Sequence, residues 1–383
     1  MLDGIYVLDL ASVGPAARAS RWLADYGASV TKIGPVPRDD GVQITPPAYA
    51  YSASRGMDRA LFDLKSEMGR DAFLALANTA DVVIESFRPG VADRLGIGYE
   101  DLCEDNPGLV YCSTSGYGQD GPRSGWAGHD LNYLAVAGYL HCSGRGPNGG
   151  PALPGATVAD SAAGGLHAVA SICAALVARG GSGRGAYLDV SIADGTLSLM
   201  SLYVDEYLAT GTEPGPGHNL LTGRNAWYDV YEAADGGWLA VGAIEPRFFA
   251  NLCSALGCER WLKHQNDDAA QDEMRADFAR VFKTRSRDEW VADLGPADTC
   301  VSAVQTVPEL VDDEQYCARG VFIEIDHPTE GLMGQVAPVL AGQAGADEMT
   351  ISDQRVTNTA ARLAGAGLTS DRIAELLDEG VIA

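Results

Sequence analysis

The chain has 383 residues, 46% hydrophobic and 21% charged, with 27 basic against 52 acidic side chains and a formal net charge of −25. That length allows a large core shared between two domains, and the acidity argues against a nucleic-acid partner, which calls for a basic surface. No unbroken apolar run of about 18 residues stands out, so no membrane span is expected. Eight scattered cysteines without Cys-x-x-Cys, and no basic leader before the first strand-like run, suggest reduced thiols and a cytoplasmic setting. The six histidines lack metal-ligand spacing, and no metal is expected.

In chain order, residues 6–10 are apolar and β-rich, 15–26 read as a helix ending at Gly27, and 29–33 as a strand. A helix follows at 66–77, with strands at 81–86 and 109–115. This βαβ rhythm predicts a Rossmann-like α/β domain with a mostly parallel sheet. The first strand runs into Ala11-Ser12-Val13-Gly14-Pro15 rather than Gly-x-Gly-x-x-Gly, which removes most of the case for a nicotinamide dinucleotide. A small-residue helix is predicted from about 158 to 178, a strand at 187–192, and a helix on to about 208. Residues 211–224 are rich in glycine and proline and read as a linker or mobile loop.

Residues 227–232 and 238–244 form a hairpin pattern about Ala233-Ala234-Asp235-Gly236-Gly237, followed by helical segments at 248–256, 274–282 and 287–294. The last helix opens at Thr369-Ser370-Asp371. The domains predicted are a large α/β domain over 1–224, a small α+β domain over 225–318, and a return to the large domain over 319–383.

Three segments carry ionisable groups suited to proton transfer. His129, in Gly128-His129-Asp130-Leu131-Asn132-Tyr133, falls in the predicted first turn of a helix. The positive helix end there favours a neutral imidazole able to accept a proton, although position alone fits a helix cap as well. Asp160 follows Val158-Ala159 and precedes Ser161-Ala162-Ala163-Gly164-Gly165. Its bland role is an N-cap worth about 1 kcal/mol, and its functional role uses the space that small neighbours leave for a substrate. Glu245, in Val241-Gly242-Ala243-Ile244-Glu245-Pro246, ends a strand, where a carboxylate is often idle.

Together these segments resemble the α-methylacyl-CoA racemases of the class III CoA-transferase (CaiB/BaiF) superfamily, and the resemblance runs from Leu2-Asp3-Gly4 to the C-terminal Leu376–Ile382 stretch. It implies a class III CoA-transferase fold and an interlocked homodimer. It also implies an isomerase of lipid and fatty acid metabolism that acts on acyl-CoA, with coenzyme A entering as part of the substrate and no cofactor. His129 and Asp160 are the implied acid/base pair, with Glu245 orienting the histidine. For coenzyme A, the resemblance points to Arg38; to Phe62-Asp63-Leu64-Lys65; to Ser86-Phe87-Arg88 and Arg94; and to Gly128, Asp130, Leu131, Asn132 and Tyr133. The Gly116-Tyr117-Gly118 turn suits the pantetheine arm.

Two stretches depart from the family pattern. Arg38, after Ile33-Gly34-Pro35-Val36-Pro37, would replace an adenine-side arginine from a shifted position, and Arg224 in Leu221-Thr222-Gly223-Arg224-Asn225 would alter the acyl pocket. Two rival readings stand beside the racemase. One is a CoA-transferase with Asp160 as nucleophile, against which His129, Glu245 and the lack of a multi-glycine loop weigh; Gly215-Pro216-Gly217 is a partial match only. The other is a non-catalytic CoA-thioester-binding protein.

Overall fold

The computed structural model describes residues 1–11, 14–37, 55–328, 331–342, 350–351, 353 and 356–383. By contacts the chain forms two units: a larger one of 1–139, 154–201 and 314–383, and a smaller one of 140–153 and 202–313. The breaks at 201/202 and 313/314 replace those drawn from sequence at 224/225 and 318/319, and 140–153 joins the smaller unit.

The larger unit is built on a six-stranded parallel sheet in the order β3-β2-β1-β4-β5-β6: β1 (Tyr6–Asp9), β2 (Ser29–Gly34), β3 (Met57–Leu61), β4 (Val82–Glu85), β5 (Val110–Ser115) and β6 (Ala186–Ser191). Val7 lies opposite Val30 on one side and Val82 on the other, and Val82 lies opposite Val110. The central strands open on apolar runs (Val7-Leu8, Val82-Val83-Ile84, Val110-Tyr111-Cys112), as strands covered on both faces do, and alternate side chains separate two cores. Leu8, Val83 and Tyr111 pack with Phe62 and Phe73 on one face; Val7, Ile84 and Cys112 pack with Ala16, Leu23, Ala168 and Ile172 on the other.

The first face is covered by α2 (Glu67–Ala77), the short α3 (Val91–Leu95) and α4 (Tyr99–Cys103), and the C-terminal helices. The second face is covered by α1 (Gly14–Asp25) and by a long helix that begins as the π-helix Ala159–Leu166 and continues as α6 (His167–Ser182). Between these, α5 spans Asp130–Val136, and α7 (Ile192–Leu199) follows β6. At the end of β1, Asp9 is buried; it accepts hydrogen bonds from Ala11 N–H (2.8 Å) and Lys32 Nζ (2.6 Å). The loop thus closes on an ion pair instead of a glycine-rich turn.

Three strand pairings lay outside the sequence reading, that of the three-residue strand Val301–Ala303 in the smaller unit among them. Strand β3 is an edge strand whose charged Asp58 bonds Arg362 Nε at 2.8 Å, in keeping with charge on exposed edges. The hairpin β10 (Phe322–His327) and β11 (Gly331–Val336) is antiparallel. The helix predicted to run to 208 is two helices, α7 and α8 (Ser201–Thr210). Within Ala159–Ser182 an 18-residue window of mean hydropathy 1.7 is apolar enough for a bilayer span by length and composition alone. In this fold it packs on α1, β5 and β6.

The smaller unit has an antiparallel sheet, β7 (Tyr228–Glu232), β8 (Trp238–Gly242) and β9 (Val301–Ala303). It is covered by α9 (Pro246–Ala255), α10 (Gln271–Phe282) and α11 (Arg287–Leu294), and its core is Trp227, Tyr231, Phe249, Phe278, Phe282 and Trp290. The predicted hairpin closes at the expected turn, with Gly236 at φ +84°. In the larger unit, α12 (Thr359–Gly365) and α13 (Ser370–Asp378) complete the first face.

Candidate active site

The π-helix owes its position to small residues. A Cβ on Gly164 would lie 2.6 Å from Pro15 Cβ, one on Gly165 would lie 2.7 Å from the Trp22 ring, and one on Gly195 would collide with the carbonyl of Ala163. Glycine at these points lets the Pro15 and Trp22 side chains of α1 sit on the π-helix backbone and lets α7 approach it backbone to backbone. The π form widens the first two turns, a device common at functional sites. Asp160 is its second residue and Val158 the N-cap, so Asp160 does not cap the helix.

His129 is the N-cap of α5, one residue earlier than the predicted first turn, and is exposed. Its N–H donates to Asn132 Oδ1 at 3.0 Å. The turn before it is set by Tyr133: the phenol O–H donates to Gly128 O at 2.6 Å, and a Cβ on either Gly116 or Gly128 would strike the ring. Burial, with Tyr117 and Asp160 nearby, pushes the Tyr133 phenol up to about 12, so it stays a donor. Both glycine-bearing motifs thus accommodate one buried tyrosine.

Helix α5 and the π-helix are joined by Asp160 N–H donating to Asp130 Oδ1 at 2.9 Å. The half-buried Asp160 carboxyl titrates above the usual aspartate range. Desolvation is the main cause, Asp130 adds to it, and Arg18 and His129 oppose it. Arg18, on α1, donates to Thr157 Oγ1 (2.7 Å) and to Ser161 Oγ. The structure therefore brings Asp160, Asp130, His129 and Arg18 into one electrostatic neighbourhood. Arg18 was not singled out from sequence, where it reads as one of two arginines on an alanine-rich helix.

Glu245 belongs to the smaller unit. It is exposed, occupies the N-cap position of α9 without a side-chain cap bond, and is followed by Pro246 in the helix's first turn. Strand β8 ends at Gly242, short of the predicted Ile244. Arg224, marked as a departure, pairs with Asp268 at 2.6 Å in the same unit.

Of the residues assigned to coenzyme A, Arg38 lies outside the described residues. Phe62 is 1% exposed, with its ring against Phe73, so its side chain serves the core. Asp63 Oδ1 accepts from Lys65 N–H at 3.2 Å, Leu64 packs on the core edge, and Lys65 is exposed. Ser86, Arg88, Arg94 and Leu131 are exposed and Phe87 is half-buried. Gly90 takes φ +76° and so allows the Ser86–Gly90 turn to enter α3. Among the described residues no group of His, Cys, Asp and Glu side chains could hold a metal.

Residues 2–350 match CoA-transferase family III. The chain belongs to that family. Within it, the chain is 37% identical over 326 residues to the α-methylacyl-CoA racemase of Mus musculus, covering 84% of this chain and 82% of the relative. It is 31% identical over 337 residues to the acetyl-CoA:oxalate CoA-transferase of Acetobacter aceti, covering 84% and 85%. A solved CAIB/BAIF family protein from Brucella suis superposes with a TM-score of 0.77 at 26% identity, over 95% of this chain and 99% of that one. The CoA-transferase family III fold is thus a parallel six-stranded α/β unit with antiparallel sheets besides, and the family is one of enzymes.

Proposed function

We propose that this family member is a racemase or epimerase of 2-methyl-branched acyl-CoA thioesters. The observation that carries the reading is the 2.9 Å bond from Asp160 N–H to Asp130 Oδ1, which joins the start of the π-helix bearing Asp160 to the start of α5, whose N-cap is His129. A thioester makes the α-proton acidic enough to be removed when the enolate oxygen is stabilised. One of the two groups takes the proton from one face and the other returns a proton to the opposite face, which inverts the centre. The raised Asp160 carboxyl is the stronger base for it, and the exposed His129 imidazole suits an incoming substrate. Coenzyme A enters as part of the substrate, and the proposal includes no metal or redox cofactor. Glu245 and homodimerisation enter by resemblance alone.

The test is α-deuterium incorporation in heavy water, started from each stereoisomer of an acyl-CoA with no acceptor acid present. Exchange with inversion is expected. A second reading, CoA transfer through an Asp160 acyl intermediate, draws on the 31% identity to a CoA-transferase. Turnover that depends wholly on an added acid, without exchange, would replace the first reading by the second.

A further inference from the structure

The last residue of β4, Glu85, is 3% exposed and has both carboxyl oxygens engaged. Ser113 Oγ bonds Oε1, and Phe87 N–H donates to Oε2 at 2.6 Å. The strand end is fixed a second time by Thr114 Oγ1, which donates to Glu85 O at 3.0 Å. The Ser86-Phe87-Arg88-Pro89-Gly90 turn therefore leaves the sheet from a carboxylate that holds its backbone two residues on. Beside the turn lies a cavity of about 280 Å³, lined by Glu85, Arg88, Gly90, Asp93, Ser113 and Tyr187. By strand alternation Glu85 shares the face of Val83 and Tyr111, opposite the π-helix that carries Asp160.

We propose that Glu85 is a positioning residue for coenzyme A binding: its carboxylate, braced by Ser113, sets the course of the Ser86–Gly90 turn and so aims Arg88 at the nucleotide phosphates. The inference rests on the acyl-CoA reading above. Burying an acid is unfavourable, and desolvation drives this one up to about 7. An acid kept there despite that is explained by the backbone donor it satisfies. Its bonds survive either ionisation state, because the Ser113 hydroxyl can donate or accept. Glutamine can make the same pair, its carbonyl accepting from Phe87 N–H and its amide donating to Ser113 Oγ. Aspartate keeps the charge but withdraws it by one methylene.

The test is calorimetric titration of the full chain with CoA, using wild type, E85Q, E85D and E85A, together with KM and kcat for α-exchange. E85D and E85A should weaken CoA at least tenfold, with the loss carried by KM, and E85Q should fall within threefold of wild type. On an R88A background, E85D should cost less than threefold further, because contacts that act through one another are not additive. The positioning role is overturned if folded E85D binds CoA as E85Q does, if kcat falls at unchanged affinity, or if E85D and R88A weaken binding independently. Should E85A fail to fold, the E85D/E85Q pair decides. Wild type that does not bind CoA would instead remove the acyl-CoA reading itself.

Discussion

Asp160 and Glu85 are both carboxyls of the larger unit raised above the ordinary range, both chiefly by burial, yet they sit in opposite kinds of surroundings. Glu85 has its two oxygens occupied by a hydroxyl and a backbone N–H. Among the described residues no hydrogen-bond donor reaches the Asp160 carboxyl; charged neighbours surround it instead. A raised carboxyl is therefore not in itself a sign of catalysis. One saturated with local hydrogen bonds is committed to the backbone it holds. One left unsaturated among charges can exchange a proton with a substrate.

The hardest way to break this contrast is to neutralise the unsaturated side. His129→Ala and Asp160→Asn should each reduce racemisation by about 10²–10⁴-fold, the usual worth of a positioned acid or base. Each should spare some deuterium exchange from the isomer deprotonated by the other. Unchanged racemisation in either variant would remove that residue from the pair.

Glu85→Gln probes the saturated side through stability. The folded value, about 7, lies above the ordinary glutamate value of 4.5, so ionisation of the folded protein costs stability. The cost is absent below about pH 4.5, grows as pH rises, and is complete above about pH 7. The variant should therefore gain up to about 3 kcal/mol at pH 8 and nothing near pH 4, as read from denaturant unfolding at both pH values. A gain equal at the two would show that Glu85 is not the titrating group.

Arg88→Ala should raise KM for acyl-CoA by about 1–3 kcal/mol while turnover holds, since a remote phosphate contact acts alike in ground and transition states. A fall in turnover at constant KM would place Arg88 in the chemistry. Glu245, the exposed carboxyl of the other unit, offers a third case. Glu245→Gln should lower turnover less than His129→Ala and alter the pH–rate profile of α-exchange; profiles identical to wild type would leave it as the residue that precedes α9. The smallest effect is expected from Arg18→Ala. Arg18 holds the Asp160 carboxyl down, so its loss should move the limb that requires ionised Asp160 to higher pH. An unmoved limb would separate the two residues.

Much of the fold is legible in sequence where one period dominates. Strands β1, β4 and β5 are buried on both faces and show by the apolar runs that open them; the hairpin of β7 and β8 shows by its turn. Strand β3 escaped because an edge strand carries Asp58 and Arg59 in a five-residue stretch, which blurs the apolar pattern. The hairpin of β10 and β11 escaped although β10 alternates buried Ile325 and His327 with exposed Glu324 and Asp326, because its partner β11 has no buried residue and so offers no matching apolar pattern.

The sequence by itself determined the alternating layers of the larger unit, the family, and the three short segments with His129, Asp160 and Glu245, because each is a local pattern of residue types. Tertiary structure alone decided that Asp160 sits on a π-helix and not at a cap, since close packing against Pro15, Trp22 and α7 sets that helix's course. It alone brought Asp130 to Asp160 across thirty residues, Arg18 to Ser161, and Ser113 to Glu85. Those meetings depend on strand order and on the faces the side chains share. No spacing along the chain encodes them, because the charges and hydrogen bonds that tune each carboxyl come from neighbouring elements.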